Sequence, residues 1–371
     1  MVAGEASGDL HGAAVVRALK RLAPEAEVAG VGGDGMAGEG MRMLHHIRGL
    51  SFMGFLEVVR NLPAIRALER LLLREVESRR PDVVVLIDYP GFNLRFARKV
   101  KERGVPVLYY ISPQVWAWNR GRVRRMARFV DRMKVVFPFE VGIYRKEGID
   151  VEWVGHPLAE HAGVQCSREE FARREHLDPG RKIIGLFPGS RAQEIERILP
   201  VMARAAEEVR RTRALQVAIG VAPNLGPSLI RKHLPAGADI RLVEHATHEL
   251  MAHADAAMVT SGTATLETGW FGTPMAVVYR TSPATYFIGR MLVDVPSIGL
   301  VNIVAGRKIV PEFVQHDMTV NNLADAIGRI LDDPAYASAM RRDLAAIREL
   351  LGPPGASVKV AQGILDLAEG H

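Results

Sequence analysis

Short apolar runs alternate with amphipathic stretches along nearly the whole chain. Strands are predicted at Val28–Val31, Val83–Ile87, Val105–Ile111, Lys134–Phe137 and Val151–Val154, with Val2-Ala3 as the stub of a first one. A second set follows at Ile183–Phe187, Gln216–Val221, Ile240–Val243, Ala256–Thr260 and Met275–Tyr279. Between them, Pro63–Arg79, Glu194–Arg211, His248–His253 and Thr265–Trp270 carry helical patterns. Near-continuous apolar strands alternating with helices argue for parallel sheets covered on both faces. The rhythm breaks at "GHPLAEHAGVQCSREEF", which places a hinge within residues 155–180. The expected organisation is an α/β chain of two doubly wound, Rossmann-like domains, 1–158 and 159–340. A helical tail, 341–371, is expected to pack back on the first domain. Two such domains facing each other leave a cleft at the C-terminal ends of their strands, where ligands bind in this architecture.

Composition narrows the class. With 371 residues, 48% hydrophobic and 24% charged, the chain has ample core and little room for disorder. A lone cysteine, Cys166, rules out a disulfide framework or a multi-cysteine zinc site and fits a reducing cytoplasm. No run reaches the roughly 18–20 apolar residues of a membrane span. Glu5 and Asp9 interrupt any signal-peptide core, and Met1 begins where a longer apolar run is expected. A net charge of +6 favours anionic partners: nucleotides, phosphorylated small molecules or an anionic membrane surface. Nothing resembles a zinc finger or an RNA-binding aromatic pattern, so nucleic acid is not an expected partner.

The chemistry concentrates where strands hand over to helices. In "IIGLFPGSRAQEI" the strand stops at Pro188, and Gly189 lets a ligand approach the backbone. Ser190 is the expected N-cap, with Gln193 as its capping-box partner. Free N–H groups at a helix start, joined by the Arg191 fork, suit phosphate oxygens. The equivalent turn "SGTATLE" supplies Ser261, Gly262 and Thr263, with Glu267 one turn inside, a place from which an acid bonds ribose hydroxyls. Together the two turns describe a sugar-nucleotide pocket.

The first half offers a different set. "GEASGDLH" places Glu5, Ser7, Asp9 and His11 on one strand-to-helix turn, without dinucleotide-fingerprint spacing. "IDYPGFN" ends a buried strand in Asp88, a candidate proton acceptor, with Asn93 beyond it. From Arg120 to Lys134 seven basic side chains meet one acid along an apolar stripe, Val123, Met126, Ala127 and Val130. This predicts an amphipathic helix with a basic face, which beside Trp116, Trp118 and the apolar "LSFMGFLEVV" suits a lipid surface or acyl chains.

"AGEASGDLHGA", "GVGGDGM", "MGFLEV", "IDYPGFN", "YYISPQVWAW", "FPFE", "VGHP", "FPGSRAQEI", "SGTATLE" and "PSIGLVNIVAGR" occur in order between residues 3 and 307. As a set they resemble the lipid-A-disaccharide synthase family, bacterial glycosyltransferases of the GT-B fold. The resemblance implies an inverting transfer of 2,3-diacylglucosamine from UDP to the 6-hydroxyl of 2,3-diacylglucosamine 1-phosphate, with no metal and no cofactor. It also implies a cytoplasmic enzyme held peripherally at the inner membrane; a homodimer is one expectation for its assembly. On this reading Gly189, Ser190, Arg191, Glu194, Ser261, Gly262, Thr263 and Glu267 hold the nucleotide sugar. Ser7, Asn93 and Asn302 are further binding residues.

One departure stands out. The family pattern Asp-x-Pro-Asp-Phe gives the base role to its second Asp, and this chain reads Asp88-Tyr89-Pro90-Gly91-Phe92. The base role then passes to Asp88, with His11 or Glu5 acting instead or assisting. Two alternatives remain at this point: another GT-B enzyme on UDP-N-acetylglucosamine such as a 2-epimerase, and a membrane-surface binding protein without catalysis.

Overall fold

A computed structural model describes residues 1–48, 62–113, 115, 121–164, 166–282, 286 and 297–370. The segment "LSFMGFLEVV", both tryptophans and Gln114 of "YYISPQVWAW" lie outside the described residues. The chain forms two compact units, one of Met1–Glu160 with Leu351–His371 and one of His161–Leu350.

Among the described residues unit 1 is built on seven strands: β1 (Val2–Ala3), β2 (Ala29–Gly32), β3 (Arg42–His46), β4 (Val84–Ile87), β5 (Val107–Tyr110), β6 (Arg132–Val135) and β7 (Asp150–Trp153). All pairs are parallel, in the order β3-β2-β1-β4-β5-β6-β7. β4 and β5 are buried at every position, as strands covered on both faces must be. Their Leu86, Val107 and Tyr109 pack with Phe92 and Phe96 of the helix Pro90–Lys101. The helix Ala356–Glu369 returns from the C-terminus to pack on Ala6–Leu22.

Unit 2 repeats the scheme with β8 (Lys182–Phe187), β9 (Leu215–Val221), β10 (Arg241–Glu244), β11 (Ala256–Thr260), β12 (Met275–Tyr279) and β13 (Glu312–Val314), in the order β10-β9-β8-β11-β12-β13, again all parallel. The helix Ala192–Arg210 buries Ile195, Leu199 and Met202 and packs against Val320–Asp332.

In each unit the chain starts in mid-sheet, winds to one edge, then returns and winds to the other. The reversal lies between β1 and β4 in unit 1 and between β8 and β11 in unit 2. Diverging connections open a crevice at such a reversal, at the C-terminal ends of the strands.

The expected basic helix over 120–134 is corrected. Among the described residues only Arg122–Met126 is helical, and β6 already begins at Arg132. Lys134 is a strand residue, as the expected strand at Lys134–Phe137 has it, 3% exposed and ion-paired with Glu152 on β7. The apolar stripe does face inward, through Val123, Met126 and Val130, and Arg124, Arg125 and Arg128 remain exposed.

Candidate active site

At the reversal of unit 1, the turn after β1 lies beside the turn after β4. Gly4 is there because a side chain would not fit: an added Cβ would stand 2.3 Å from the Tyr89 ring. Glu5 follows in extended conformation and precedes the helix, with Ser7 exposed on its first turn and His11 half-buried on the next. Asp9 is committed elsewhere. Its carboxylate accepts the N–H groups of Gly33 (2.6 Å), Gly35 (2.9 Å) and Met36 (3.0 Å), which ties down the "GVGGDGM" turn.

The turn after β4 has unusual backbone geometry. Asp88 and Tyr89 are consecutive non-glycine residues in the left-handed region, with φ of 46° and 49°. Each such residue costs on the order of 1–3 kcal/mol and persists only where its surroundings over-determine it. Here they do. The Asp88 N–H donates to the Tyr110 carbonyl (3.0 Å), and the Asp88 carbonyl accepts both the Asn93 amide (2.8 Å) and the Tyr109 hydroxyl (2.6 Å). Pro90 then opens the next helix with its φ preset. Burial pushes the Asp88 carboxyl up from its ordinary 3.8 to about 6, and the Glu5 charge adds to the shift.

Asn93 itself is fully buried. Its amide nitrogen also reaches the carbonyls of Ile87 (3.2 Å) and Val2 (3.4 Å) and so secures the turn, while its Oδ1 is buried without a hydrogen-bond partner among the described residues.

Two groups at this edge have no role in the sequence reading. His156, of "VGHP", is buried; burial first, and then His11, push its imidazole down to about 3. Its Nδ1 accepts the Leu158 N–H (3.1 Å), so the neutral ring carries its proton on Nε2. Glu140, of "FPFE", is buried and accepts the Ser112 hydroxyl (2.6 Å) and the Phe137 N–H (3.1 Å). Ser112 follows Ile111, a β-branched residue held at φ 61°. The sequence signal for both was their place in the motif series, which carries no burial information.

At the reversal of unit 2, Gly189 sits at φ 111°, where glycine is favoured. The expected cap is corrected: the helix starts at Ala192 with Arg191 at the N-cap position, and no side chain there caps it. Glu194 instead folds back on the turn before the helix, accepting the Ser190 N–H (3.1 Å) and the Arg191 guanidinium (3.0 Å). The Ser190 carbonyl accepts the Asn224 amide (2.8 Å), so both backbone groups of Ser190 are held. Arg191 is half exposed, which leaves donors for an incoming anion.

On neighbouring β11, Gly262 takes φ 149° and the helix begins at Thr263, which is exposed. Ser261 donates its hydroxyl to the Ile298 carbonyl (2.7 Å). Glu267 is one turn in; burial pushes its carboxyl up, and His248 opposes the shift. Asn302 does not line the site: it is 1% exposed and engaged at both ends. Its oxygen accepts the Ile309 (2.7 Å) and Val310 (3.0 Å) N–H groups, and its nitrogen donates to Val310 (2.9 Å) and Glu312 (2.8 Å).

The two helix-start turns of unit 2 thus stand side by side with the Arg191 cation and the Glu267 acid. The carboxyls of Asp88 and Glu5 form a separate group in unit 1. Residues 1–349 match the family described as Lipid-A-disaccharide synthetase. The chain belongs to that family. It is 44% identical over 369 residues to the lipid-A-disaccharide synthase of Geobacter sulfurreducens, covering 99% of this chain and 96% of that one. Its identity to the Myxococcus xanthus enzyme of the same name is 40% over 369 residues, with the same coverage. Among solved structures it is similar to the UDP-GlcNAc 2-epimerase of Neisseria meningitidis bound to UDP-GlcNAc, with a TM-score of 0.67 at 14% identity over 98% of both chains. The calicheamicin glycosyltransferase CalG4 gives 0.59 at 14%, covering 96% of this chain and 94% of that one. These likenesses fix the fold as the GT-B class of two doubly wound α/β units. The epimerase likeness is one of fold alone, whereas the synthase likeness is one of sequence over the full length, which favours the synthase among the alternatives.

Proposed function

We propose that the protein is an inverting glycosyltransferase joining UDP-2,3-diacylglucosamine to 2,3-diacylglucosamine 1-phosphate, giving the β-1′,6-linked disaccharide 1-phosphate and UDP. The observation that carries this beyond family membership is Asp88. It is a carboxyl at a strand end on the ligand side of the sheet, with its pKa raised to about 6. Such a group is ionised at neutral pH yet basic enough to take a proton in the transition state.

In this reading Asp88 removes the proton from the acceptor 6-hydroxyl as that oxygen attacks the anomeric carbon. The new C–O bond forms while the bond to the UDP β-phosphate breaks, its electron pair leaving with the phosphate oxygen. Single displacement inverts the anomeric carbon. Arg191 and the helix starts at Ala192 and Thr263 stabilise the charge that gathers on the departing diphosphate. Glu267, one turn into the helix, accepts the ribose hydroxyls. Glu5 keeps Asp88 basic, and His11, on the second turn of the helix Ala6–Leu22, orients the acceptor. Peripheral attachment to the cytoplasmic face of the inner membrane fits the +6 charge and the exposed Arg124, Arg125 and Arg128.

The test is UDP release measured with donor alone, acceptor alone and both. Transfer predicts release only with both; conversion of the donor alone into an isomeric UDP-sugar, with no UDP released, would favour the epimerase reading.

A further inference from the structure

The left-handed pair Asp88-Tyr89 raises the question of what keeps the candidate base aimed. We propose that Tyr109 is a positioning residue for the transfer, its hydroxyl, together with the Asn93 amide, locking the Asp88 carbonyl and so fixing the direction of the Asp88 carboxylate. The inference rests on the reading of Asp88 as base.

Tyr109 lies on β5, directly beside β4, and is 0% exposed. A strand buried on both faces calls for apolar side chains, and a buried hydroxyl is unfavourable unless it is paired. Tyr109 uses its one donor on the Asp88 carbonyl at 2.6 Å. Burial pushes its phenol well above the ordinary range, so the hydroxyl stays a donor at every working pH. A φ of 46° at a non-glycine residue relaxes readily toward ordinary negative values unless its peptide is held. Such a rotation about the Asp88 N–Cα bond swings the side chain away from its present line. Misplacement of a reacting group by about 1 Å lowers rates about a hundredfold.

The environment of Asp88 adds a signature that simple loss of stability would not give. Among the described residues the groups acting on it are Glu5 from the turn after β1, which raises its pKa, the Tyr89 backbone N–H, which opposes that rise, and Tyr109 from β5, itself influenced by Arg122. Burial and the Glu5 charge together keep Asp88 basic. A carboxylate released toward solvent loses both influences, and the acid limb of its pH–rate profile moves to lower pH.

The experiment is steady-state kinetics of full-length Tyr109→Phe, which removes only the hydroxyl. Asn93→Ala and Asp88→Asn are measured in parallel. The inference predicts that Tyr109→Phe lowers kcat about tenfold or more with the donor KM unchanged, and shifts the acid limb downward. Full kcat and an unmoved acid limb in Tyr109→Phe overturn it, whatever the variant's stability. Because that variant keeps the shape of the ring, it carries the test even if Asn93→Ala does not fold. The two levels separate cleanly. Normal turnover in Asp88→Asn removes the base reading and this inference together. Loss of turnover in Asp88→Asn beside a normal Tyr109→Phe removes the inference alone.

Discussion

Replacing Asp88 with Asn should make the protein slower and, at neutral pH and above, more stable. The folded-state pKa of Asp88 is raised from 3.8 to about 6 because burial and the Glu5 charge disfavour the carboxylate. Between about pH 4 and pH 6 the native state therefore holds a proton that the unfolded chain has released. Stability falls as pH rises through that window. Two pKa units at 1.36 kcal/mol each give a full penalty of about 3 kcal/mol above pH 6, in order of magnitude. About half of that, 1–2 kcal/mol, develops between pH 5 and pH 8. Asn carries no charge at either pH, so the stability difference between Asp88→Asn and the parent should grow in the variant's favour by that amount. Urea titrations of both proteins at pH 5 and pH 8 measure it. Over the same range the variant should lose about a hundredfold or more in kcat, the usual contribution of a general base. A stability difference that does not change with pH would refute the buried-carboxylate argument, and retained turnover would refute the catalytic one.

Three other perturbations probe the two sheet edges. His156, pushed down to about 3, stays neutral in the folded state while the unfolded chain protonates near 6.5, so stability should fall as pH drops below 6.5. Between pH 6.5 and pH 5 the parent should lose about 1.5–2 kcal/mol relative to His156→Gln in urea titrations, and parallel curves would contradict the assignment. Gly189→Ala should destabilise unit 2 by about 1–2 kcal/mol and weaken UDP binding in calorimetry. Its Cβ would come 2.2 Å from Glu194 Oε2, at a φ of 111° that alanine resists. Gly91→Asp should be tolerated and raise the melting temperature by one or two degrees. Nothing lies within 4 Å of the added Cβ, and an acid in the first turn of Pro90–Lys101 gains about 0.5 kcal/mol from the helix end. A lower melting temperature would show that position 91 is more constrained than its open surroundings imply.

Much of this architecture was legible in the pattern of apolar runs. Ala256–Thr260 and Met275–Tyr279 fall where the periodicity puts them, and most other strands differ by a residue or two. Two strands gave no such signal. Arg42–His46 is an edge strand with a largely polar sequence, and Glu312–Val314 is three residues long at the opposite kind of edge. The helical pattern over 120–134 overruns the strand expected from Lys134 because Arg132 looks solvated in sequence, whereas its cross-strand partner Asp150 lets it sit in β6. The site residues divide by the same logic. Gly189, Gly262 and Asp88 stand at strand ends, which the strand–turn–helix rhythm locates. Asn93 and Asn302 look outward-facing in sequence because a polar side chain near a motif reads as free to bind. Only three-dimensional structure reveals that buried carbonyls claim the Asn93 nitrogen, and that carbonyls, a carboxylate and N–H groups claim both ends of Asn302. The left-handed turn at Asp88-Tyr89 was equally invisible, since neither residue is glycine and its supports come from β5.

The central claim is a sugar transfer, and its most direct measurement is the mass and linkage of the product. Purified protein is incubated with UDP-2,3-diacylglucosamine and 2,3-diacylglucosamine 1-phosphate in the presence of a chelator. The account predicts a disaccharide 1-phosphate whose new linkage is β-1′,6, formed in step with UDP. Intact substrates, or UDP released without a disaccharide, would contradict it.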